Sequence, residues 1–342
     1  MTPDYEKAWS DLNVRLRAVE QGSGLVSAMQ ELETFHLRSG FIRDDLQDVE
    51  RRAFYHPDDR TRFFRVQYNP RRAQRFAGSG RSHERHVSSN DGCFLCRDNI
   101  ELQQQGNQLG YQIESGDRSY VALTNPFPLL PVHIVIASRE HVPQEWGFRD
   151  PAGLGADVLM RDAVAFADRM PGHVVFYNGV DAGASIPRHL HFQCVARPGD
   201  EGPFPLEVAA EDAGGQVDGP GMVARYPLEA AVWKGPAADV TARASDWVVR
   251  WGARNRRRLD DLSANIIASR AQDGEGIVLY FVPRSRSHQR PEGFSGLIGG
   301  LEVLGEIVLS SPEDKARLDA GAIDYFVLEA ILASVSTPIE TG

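Results

Sequence analysis

The densest group of reactive side chains lies in residues 183–193, which read Gly183-Ala184-Ser185-Ile186-Pro187-Arg188-His189-Leu190-His191-Phe192-Gln193. If residues 189–193 form a strand, alternation places His189, His191 and Gln193 on one face. Leu190 and Phe192 then face the opposite side. Two imidazoles and one amide would share a single site. This favours a chemical role over the alternative of two half-buried histidines on an ordinary strand.

Composition narrows the class of protein that carries this segment. The chain has 342 residues, of which 42% are hydrophobic and 25% charged, so one large or two moderate globular domains are expected. The formal net charge is −10, which argues against a surface built to neutralise the phosphates of long nucleic acids. We therefore expect no nucleic-acid partner, although a locally basic pocket remains compatible with this charge.

The N-terminal sequence and the cysteines indicate a cytoplasmic protein. The first residues, Met-Thr-Pro-Asp-Tyr-Glu-Lys, are polar and acidic, unlike a signal peptide, and no apolar run approaches the roughly 18 residues of a spanning helix. We therefore expect no membrane partner. The chain has three cysteines, two of them spaced as Cys93-x-x-Cys96, which suggests metal or redox chemistry instead of a disulfide framework.

The first half of the chain predicts helices followed by a β-rich region. Apolar residues at helical spacing predict two helices within residues 4–55, and an arginine-rich stretch to Arg85 resembles a solvated surface. Four runs rich in branched and aromatic residues predict strands: Tyr120–Leu123, His133–Ala137, His173–Tyr177 and His189–Val195. A helix is expected from Leu154 to Met170. This order predicts an α+β sheet, and no nucleotide-binding glycine motif lies at a strand-to-helix junction.

The second half repeats this character without the histidine cluster. Residues 198–220, rich in Gly, Pro and acidic residues, predict a loop or linker. Helices are then expected at 226–235 and 239–258, strands at Ala264–Ser269 and Gly276–Val282, and a final helix at 312–335.

Cys93 and Cys96 supply half of a tetrahedral zinc site. Such a site usually needs two further Cys or His ligands. Because Cys194 is the only other cysteine, histidine must provide most of them. His141 and His189 are candidates, but spacing alone does not select among ten histidines.

The pattern Gly-x-Ser-x-Pro-Arg-His189-x-His191-x-Gln193 resembles the signature of the histidine-triad superfamily in its transferase branch, which ends in Gln instead of a third His. Further segments that resemble this branch are Tyr68-Asn69-Pro70, Arg72-Ala73-Gln74-Arg75, Cys93-Phe94-Leu95-Cys96, Asn125-Pro126-Phe127-Pro128, His141-Val142-Pro143 and Phe176-Tyr177-Asn178-Gly179. The branch includes galactose-1-phosphate uridylyltransferase, dinucleoside tetraphosphate phosphorylase and the GDP-hexose phosphorylases. Residues 202–207 and 280–306 are most similar to the last group, and the resemblance covers roughly residues 60–325.

This resemblance implies an α+β fold with two histidine-triad-like units in one chain, built from antiparallel sheets flanked by helices. Residues 1–60 would form a helical N-terminal segment, and residues 61–200 the catalytic unit. Residues 201–342 would form a second unit that lacks the catalytic histidines. Two such units could build the pseudo-symmetric core that small triad proteins obtain by dimerising, so both a monomer and a homodimer remain open.

The resemblance also assigns roles to individual residues. It implies that His191 is the nucleophile and Gln193 its phosphate-binding neighbour, with Asn178 and Ser185 as further phosphate contacts. Arg72 and Arg75 would bind the second phosphate. The ligands of a structural zinc ion would be Cys93, Cys96, His141 and His189. Two departures stand out: Arg188 is inserted before His189 relative to the uridylyltransferase, and the dinucleoside phosphorylases typically lack the metal.

The implied function is nucleotidyl transfer through a nucleotidyl-histidine. The favoured reaction is phosphorolysis of a nucleoside diphosphate sugar, in which GDP-hexose and phosphate give GDP and hexose 1-phosphate. The alternatives are a hexose-1-phosphate uridylyltransferase, a dinucleoside polyphosphate phosphorylase, and a nucleotide-binding module without catalysis. The partners would be a nucleotide or nucleotide-sugar donor and a phosphate or sugar-phosphate acceptor. Base and sugar are not specified, because they depend on pocket shape.

Overall fold

A computed structural model describes most of the chain, namely residues 2–43, 46–73, 92–146, 152–199, 201–213, 219–258, 260–288, 291, 294 and 296–339. The helices in this part are α1 (Pro3–Arg38), α2 (Arg97–Gln103), α3 (Ala156–Arg169), α4 (Pro205–Ala209), α5 (Ala237–Arg254), α6 (Gly300–Val303), α7 (Pro312–Asp319) and α8 (Tyr325–Ala333). Helix α1 is kinked at Gly24, where φ is +85°, so it consists of two helical segments. None of these helices has the length and apolar composition needed to cross a bilayer.

Twelve strands in the described residues form two sheets. They are β1 (Glu50–His56), β2 (Asp59–Tyr68), β3 (Tyr111–Ser115), β4 (Arg118–Thr124), β5 (Ile134–Ser138), β6 (His173–Asn178), β7 (His191–Ala196), β8 (Gly221–Met222), β9 (Ala231–Gly235), β10 (Leu262–Arg270), β11 (Ile277–Ser285) and β12 (Glu306–Leu309). Nine of them form one sheet in the order β3-β4-β5-β7-β6-β10-β11-β9-β8. The other three, β1, β2 and β12, form a small separate sheet.

The nine-stranded sheet is antiparallel and runs through both halves of the chain. The two halves join where β6 pairs with β10, and Asn178 lies directly opposite Asn265 in that register. Both faces of the central strands are buried. In β6, for example, Val175 and Tyr177 belong to one apolar cluster and Val174 and Phe176 to another. Residues 174–177 of β6 are therefore apolar on both faces, which fits the continuous run of branched and aromatic residues that predicted this strand.

The predicted α+β class, with antiparallel sheets flanked by helices, is confirmed. One detail of the sheets differs from the prediction, because β2 and β12 pair in parallel while the remaining pairs are antiparallel. The parallel pair is a contact between distant parts of the chain, with Glu306 opposite Arg65. No local pattern reports such a contact.

Three local predictions were wrong. No helix forms in the range 226–235, where one was expected; residues 231–235 form strand β9, in which Ala231, Val232 and Trp233 are all buried. A short run that is apolar on every side fits either element, and pairing with β11 decides for the strand. The single helix expected at 312–335 is two helices, separated at Gly321, where φ is +69°. Within the N-terminal segment 1–60, which was expected to be helical, residues 50–56 form β1, paired with β2.

Phe192 shows how the core supports the candidate site. It lies between His191 and Gln193 on β7, is fully buried, and packs its ring against those of Tyr120, Phe166 and Tyr177 at centroid distances of 5.6–6.2 Å. We expect Phe192→Ala to lower the free energy of unfolding by about 3–5 kcal/mol, because the truncated side chain leaves a cavity.

The control is Phe326→Ala, since that ring is 52% exposed. It should cost about 1 kcal/mol or less in the same denaturant titration. Equal effects of the two substitutions would contradict this description of the core.

Candidate active site and metal centre

His191 begins strand β7 and is 3% exposed. Its Nδ1 atom lies 2.9 Å from the His189 carbonyl oxygen, and a carbonyl can only accept a hydrogen bond, so Nδ1–H is the donor. In a neutral imidazole the lone pair then lies on Nε2. The ring is therefore held in the tautomer that presents a nucleophilic Nε2.

Gln144 holds the backbone around His191. The His191 N–H donates to Gln144 Oε1 at 2.7 Å, and Gln144 Nε2 donates to the carbonyls of His191 at 3.1 Å and Asn178 at 2.7 Å. Gln144 is fully buried, so one amide satisfies three backbone groups at the ends of β6 and β7. The sequence prediction missed this residue, because it lies in an irregular segment with no periodicity.

Gln193 is oriented by His133. The Leu129 N–H donates to His133 Nδ1 at 3.1 Å, so the ring proton is on Nε2, which donates to Gln193 Oε1 at 2.9 Å. Because Oε1 is the accepting atom, the NH₂ group of Gln193 is the end that can donate to a ligand. His133 appeared in the sequence as the start of a strand, and nothing in its spacing connected it with Gln193.

The structure places the other predicted binding residues as follows. Asn178 ends β6, and its Oδ1 accepts hydrogen bonds from Asn265 Nδ2 and the Gly300 N–H, both at 2.8 Å. Ser185 is exposed on the turn before β7. This turn contains Gly183, where φ is +96° and where a Cβ would lie 2.4 Å from Cα of Gly299. The Gly-x-Ser turn therefore packs directly against the second half of the chain.

Arg72 is nearly buried and Nη1 donates to the Phe127 carbonyl at 2.5 Å. Its positive charge also acts on Glu302, opposing the burial that raises the pKa of that carboxyl. Arg72 thus lies against the 125–133 segment that carries His133. Arg75 lies outside the described residues.

A second cluster comprises the four predicted metal ligands. One ligand atom from each of Cys93, Cys96, His141 and His189 lies within 4.8 Å of all the others. Cys93 Sγ is 3.2 Å from His189 Nδ1, and Cys96 Sγ is 3.1 Å from His141 Nδ1. These separations are close to the edge of about 3.6 Å that Zn–S and Zn–N bonds would give in a tetrahedron.

The surroundings of this cluster also fit a metal ion. His189 Nε2 lies 2.7 Å from the Ser138 carbonyl oxygen, so it donates there and leaves the Nδ1 lone pair facing the sulfur atoms. Hydrogen bonding to Cys96, together with the His189 ring, lowers the pKa of Cys93 to about 3 despite burial. A thiolate and an oriented imidazole are the forms in which these side chains bind metals. The Cys₂His₂ cluster could therefore hold a metal ion.

The strand alternation predicted for residues 189–193 is only partly correct. Strand β7 starts at His191, so His191 and Gln193 share a face while His189 lies before the strand. There Leu190 N–H bonds to the Val142 carbonyl, outside the β5–β7 ladder. The two histidines consequently belong to adjacent but different sites.

A family model described as a domain of unknown function (DUF4922) matches residues 29–196, a little under half of the chain. No curated protein matches the sequence. Among solved structures, yeast Ap4A phosphorylase Apa2 in complex with AMP is 17% identical with a TM-score of 0.58, and the match covers 90% of this chain and 96% of that one. The same enzyme in complex with Ap4A is 16% identical with a TM-score of 0.60, covering 90% and 97%.

An ADP-glucose phosphorylase from Arabidopsis thaliana with bound ADP-glucose is also 16% identical, with a TM-score of 0.37 and a match that covers 85% of this chain and 100% of that one. The yeast structures match along nearly the whole of both chains, and at this identity the likeness establishes the fold. This chain therefore has the fold of yeast Ap4A phosphorylase Apa2.

Proposed function

We propose that this protein is a nucleotidyltransferase that acts through a nucleotidyl-histidine, with His191 as the nucleophile. The observation that carries the proposal is the hydrogen bond from His191 Nδ1 to the His189 carbonyl, which leaves the lone pair on Nε2. Beside it, Gln193 and Asn178 have their amide oxygens occupied by protein donors, so both can present NH₂ groups to a phosphate.

The first step follows from this arrangement. Nε2 of His191 forms a bond to the α-phosphorus of the donor while the bond from that phosphorus to the bridging oxygen breaks. The leaving group takes that electron pair and departs as a phosphate anion. Nδ1–H remains on the ring throughout, and the His189 carbonyl stabilises the positive charge that the substituted imidazole acquires.

The second step returns the enzyme to its resting state. An oxygen of the acceptor phosphate attacks the α-phosphorus, the N–P bond breaks, and its electron pair returns to Nε2. Because both leaving groups are weak bases, there is little need for a general acid. Amide NH₂ groups of Gln193 and Asn178, with the Ser185 hydroxyl, would stabilise charge on the phosphoryl oxygens.

We favour a phosphorylase as the reaction class. The leading donor is a nucleoside diphosphate hexose, which with phosphate gives the nucleoside diphosphate and hexose 1-phosphate. A dinucleoside polyphosphate is the second candidate, and the fold shared with an Ap4A phosphorylase supports it. A hexose-1-phosphate uridylyltransferase is a further alternative. Arg72 and Arg75 would bind the acceptor phosphate through paired guanidinium donors.

We also propose that the metal is zinc and that its role is structural. Four protein ligands close a tetrahedral shell and leave no position for water, so the ion would act in folding. The ion would tie the loop that contains Cys93 and Cys96 to the segment that precedes the nucleophile. The loop and this segment both belong to residues 61–200, the proposed catalytic unit. Residues 201–342 would form the second unit.

Metal analysis should find about one zinc per chain. We expect Cys93→Ser to lose the zinc and to lower the melting temperature, because binding free energy of the metal contributes to folding. Cys194→Ser is the matched control, since Cys194 is buried but is not one of the four cluster residues, and this variant should keep the zinc. A fully folded wild-type protein without metal would contradict the assignment.

The central test uses the wild type and His191→Gly with a panel of GDP-, UDP- and ADP-hexoses and dinucleoside tetraphosphates, with and without phosphate. Mass spectrometry of base-quenched protein should find the nucleotide on His191, because a phosphohistidine bond survives base. Kinetics should be ping-pong, with a burst of one leaving-group equivalent per site. His191→Gly should lose the adduct and nearly all turnover while remaining folded.

His189→Gly should behave differently, because it would lose zinc and stability as well as activity. Nucleotide found on another residue, or undiminished turnover in His191→Gly, would end the proposal. Nucleotide binding without any adduct in the wild type would favour the non-catalytic nucleotide-binding module.

Gln144→Leu tests how the nucleophile is held. Removing the amide leaves up to three buried backbone groups without their partner, so the free energy of unfolding should fall by at least about 2 kcal/mol. Labelling of His191 should also slow. The control is Gln112→Leu, because within the described residues the Gln112 amide donates only to the Glu114 side chain. This variant should change stability by about 0.5 kcal/mol or less in chemical denaturation.

A further inference from the structure

The amide of Asn178 is oriented from the second half of the chain. Its Oδ1 accepts from Asn265 Nδ2 and from the Gly300 N–H, both at 2.8 Å. With two donors on the oxygen, the NH₂ group becomes the end that can donate to a ligand. The residue proposed to contact the substrate phosphate therefore depends on residues outside its own unit.

Asn265 is oriented in turn. It is fully buried on β10, and its Nδ2 also donates to the Ala182 carbonyl at 2.8 Å. Its Oδ1 accepts from Arg284 Nη1 at 2.8 Å. A guanidinium can only donate, so Arg284 determines which end of Asn265 is the oxygen. Asn265 must then direct its NH₂ group toward Asn178 and Ala182.

Arg284 is an unusual residue to find at this position. It lies on β11, is fully buried, and Nη1 also donates to the Ile298 carbonyl at 2.9 Å. Its Nε and Nη2 atoms have no hydrogen-bond partner within the described part of the chain. Burial lowers the pKa of Arg284 to about 10, so the guanidinium remains charged at neutral pH.

Sheet geometry places the three side chains in one row. Val174, Phe176 and Asn178 alternate onto one face of β6, Asn265 shares it with Ile267 on β10, and Arg284 shares it with Val282 on β11. His191 and Gln193 project from the same face of β7, opposite to Phe192. The charge of Arg284 is buried and has no carboxylate within 4 Å in the described residues. Burying such an unpaired charge is energetically unfavourable, and charges of this kind are concentrated at functional sites.

We propose that Arg284 and Asn265 are positioning residues that orient the amide of Asn178 toward the α-phosphate of a nucleoside-phosphate donor. Hydrogen bonds in series polarise one another, so the positive charge on Arg284 also makes the Asn178 NH₂ group a stronger donor. This inference rests on the proposed function. It gives residues of the second unit a part in the chemistry of the first, which they exert through the orientation of Asn178.

Asn265→Asp is the sharpest test, because it preserves shape and can pair with Arg284 but cannot donate to Asn178. We expect it to fold and to slow formation of the His191 adduct at least about 10-fold, since loss of one oriented donor commonly costs about 100- to 1,000-fold in rate. The turnover number should fall while KM for the donor changes little. Melting temperature, followed in parallel, reports on folding.

A double-mutant cycle separates orientation from general stability. If Asn265 acts through Asn178, the rate of Asn265→Asp/Asn178→Ala should equal that of Asn178→Ala alone. If the two substitutions acted independently through the structure, their rate reductions would instead multiply in the double variant. Arg284→Met should resemble Asn265→Asp, and Arg284→Lys should recover part of the rate, because it restores a charged donor.

The outcomes distinguish the two proposals. If the wild type forms the His191 adduct and Asn265→Asp forms it equally fast, or if the cycle is multiplicative, the positioning role is wrong and the proposed function stands. If the wild type forms no adduct with any donor of the panel, the proposed function fails and this inference fails with it.

Discussion

The pairing of β6 with β10 is the contact on which the rest of the site depends. It joins the two halves of the chain into one sheet and sets Asn178 directly opposite Asn265. Side chains that are opposite each other in an antiparallel pair project from the same face and lie close enough to interact. A polar residue of the second half is thereby brought to the strand end where the phosphate contacts of the first half are expected.

Around this contact, three of the polar groups proposed to act on substrate are held by protein groups that are not proposed to touch it. His191 donates to the His189 carbonyl, Gln193 accepts from His133, and Asn178 accepts from Asn265. Every one of these hydrogen bonds determines which atom of the side chain remains for a ligand. Catalysis of phosphoryl transfer depends mainly on donors already in place, so such constraints are what the proposed reaction would require.

The Cys₂His₂ cluster and the proposed nucleophile are linked through a single residue. The His189 ring belongs to the Cys₂His₂ cluster, whereas its carbonyl accepts the Nδ1–H of His191. Anything that holds His189 in place therefore also fixes the tautomer of His191. A metal ion in this cluster, as proposed, would therefore also help to hold the proposed nucleophile in place without taking part in the chemistry.

Local patterns in the sequence were sufficient for part of this description. Because His191 and Gln193 are two positions apart, they were predicted to share one face of a strand. The Cys-x-x-Cys motif, together with a family resemblance, identified the four cluster residues. The central strands were recognisable from their apolar runs. Gln144, His133, Asn265 and Arg284 were not recognised, because their roles come from partners that are remote in the sequence. Asn265 and Asn178, for example, are 87 positions apart. Periodicity reports which face of an element is buried, but only the register between strands determines which polar groups meet, and that register depends on packing of the whole sheet.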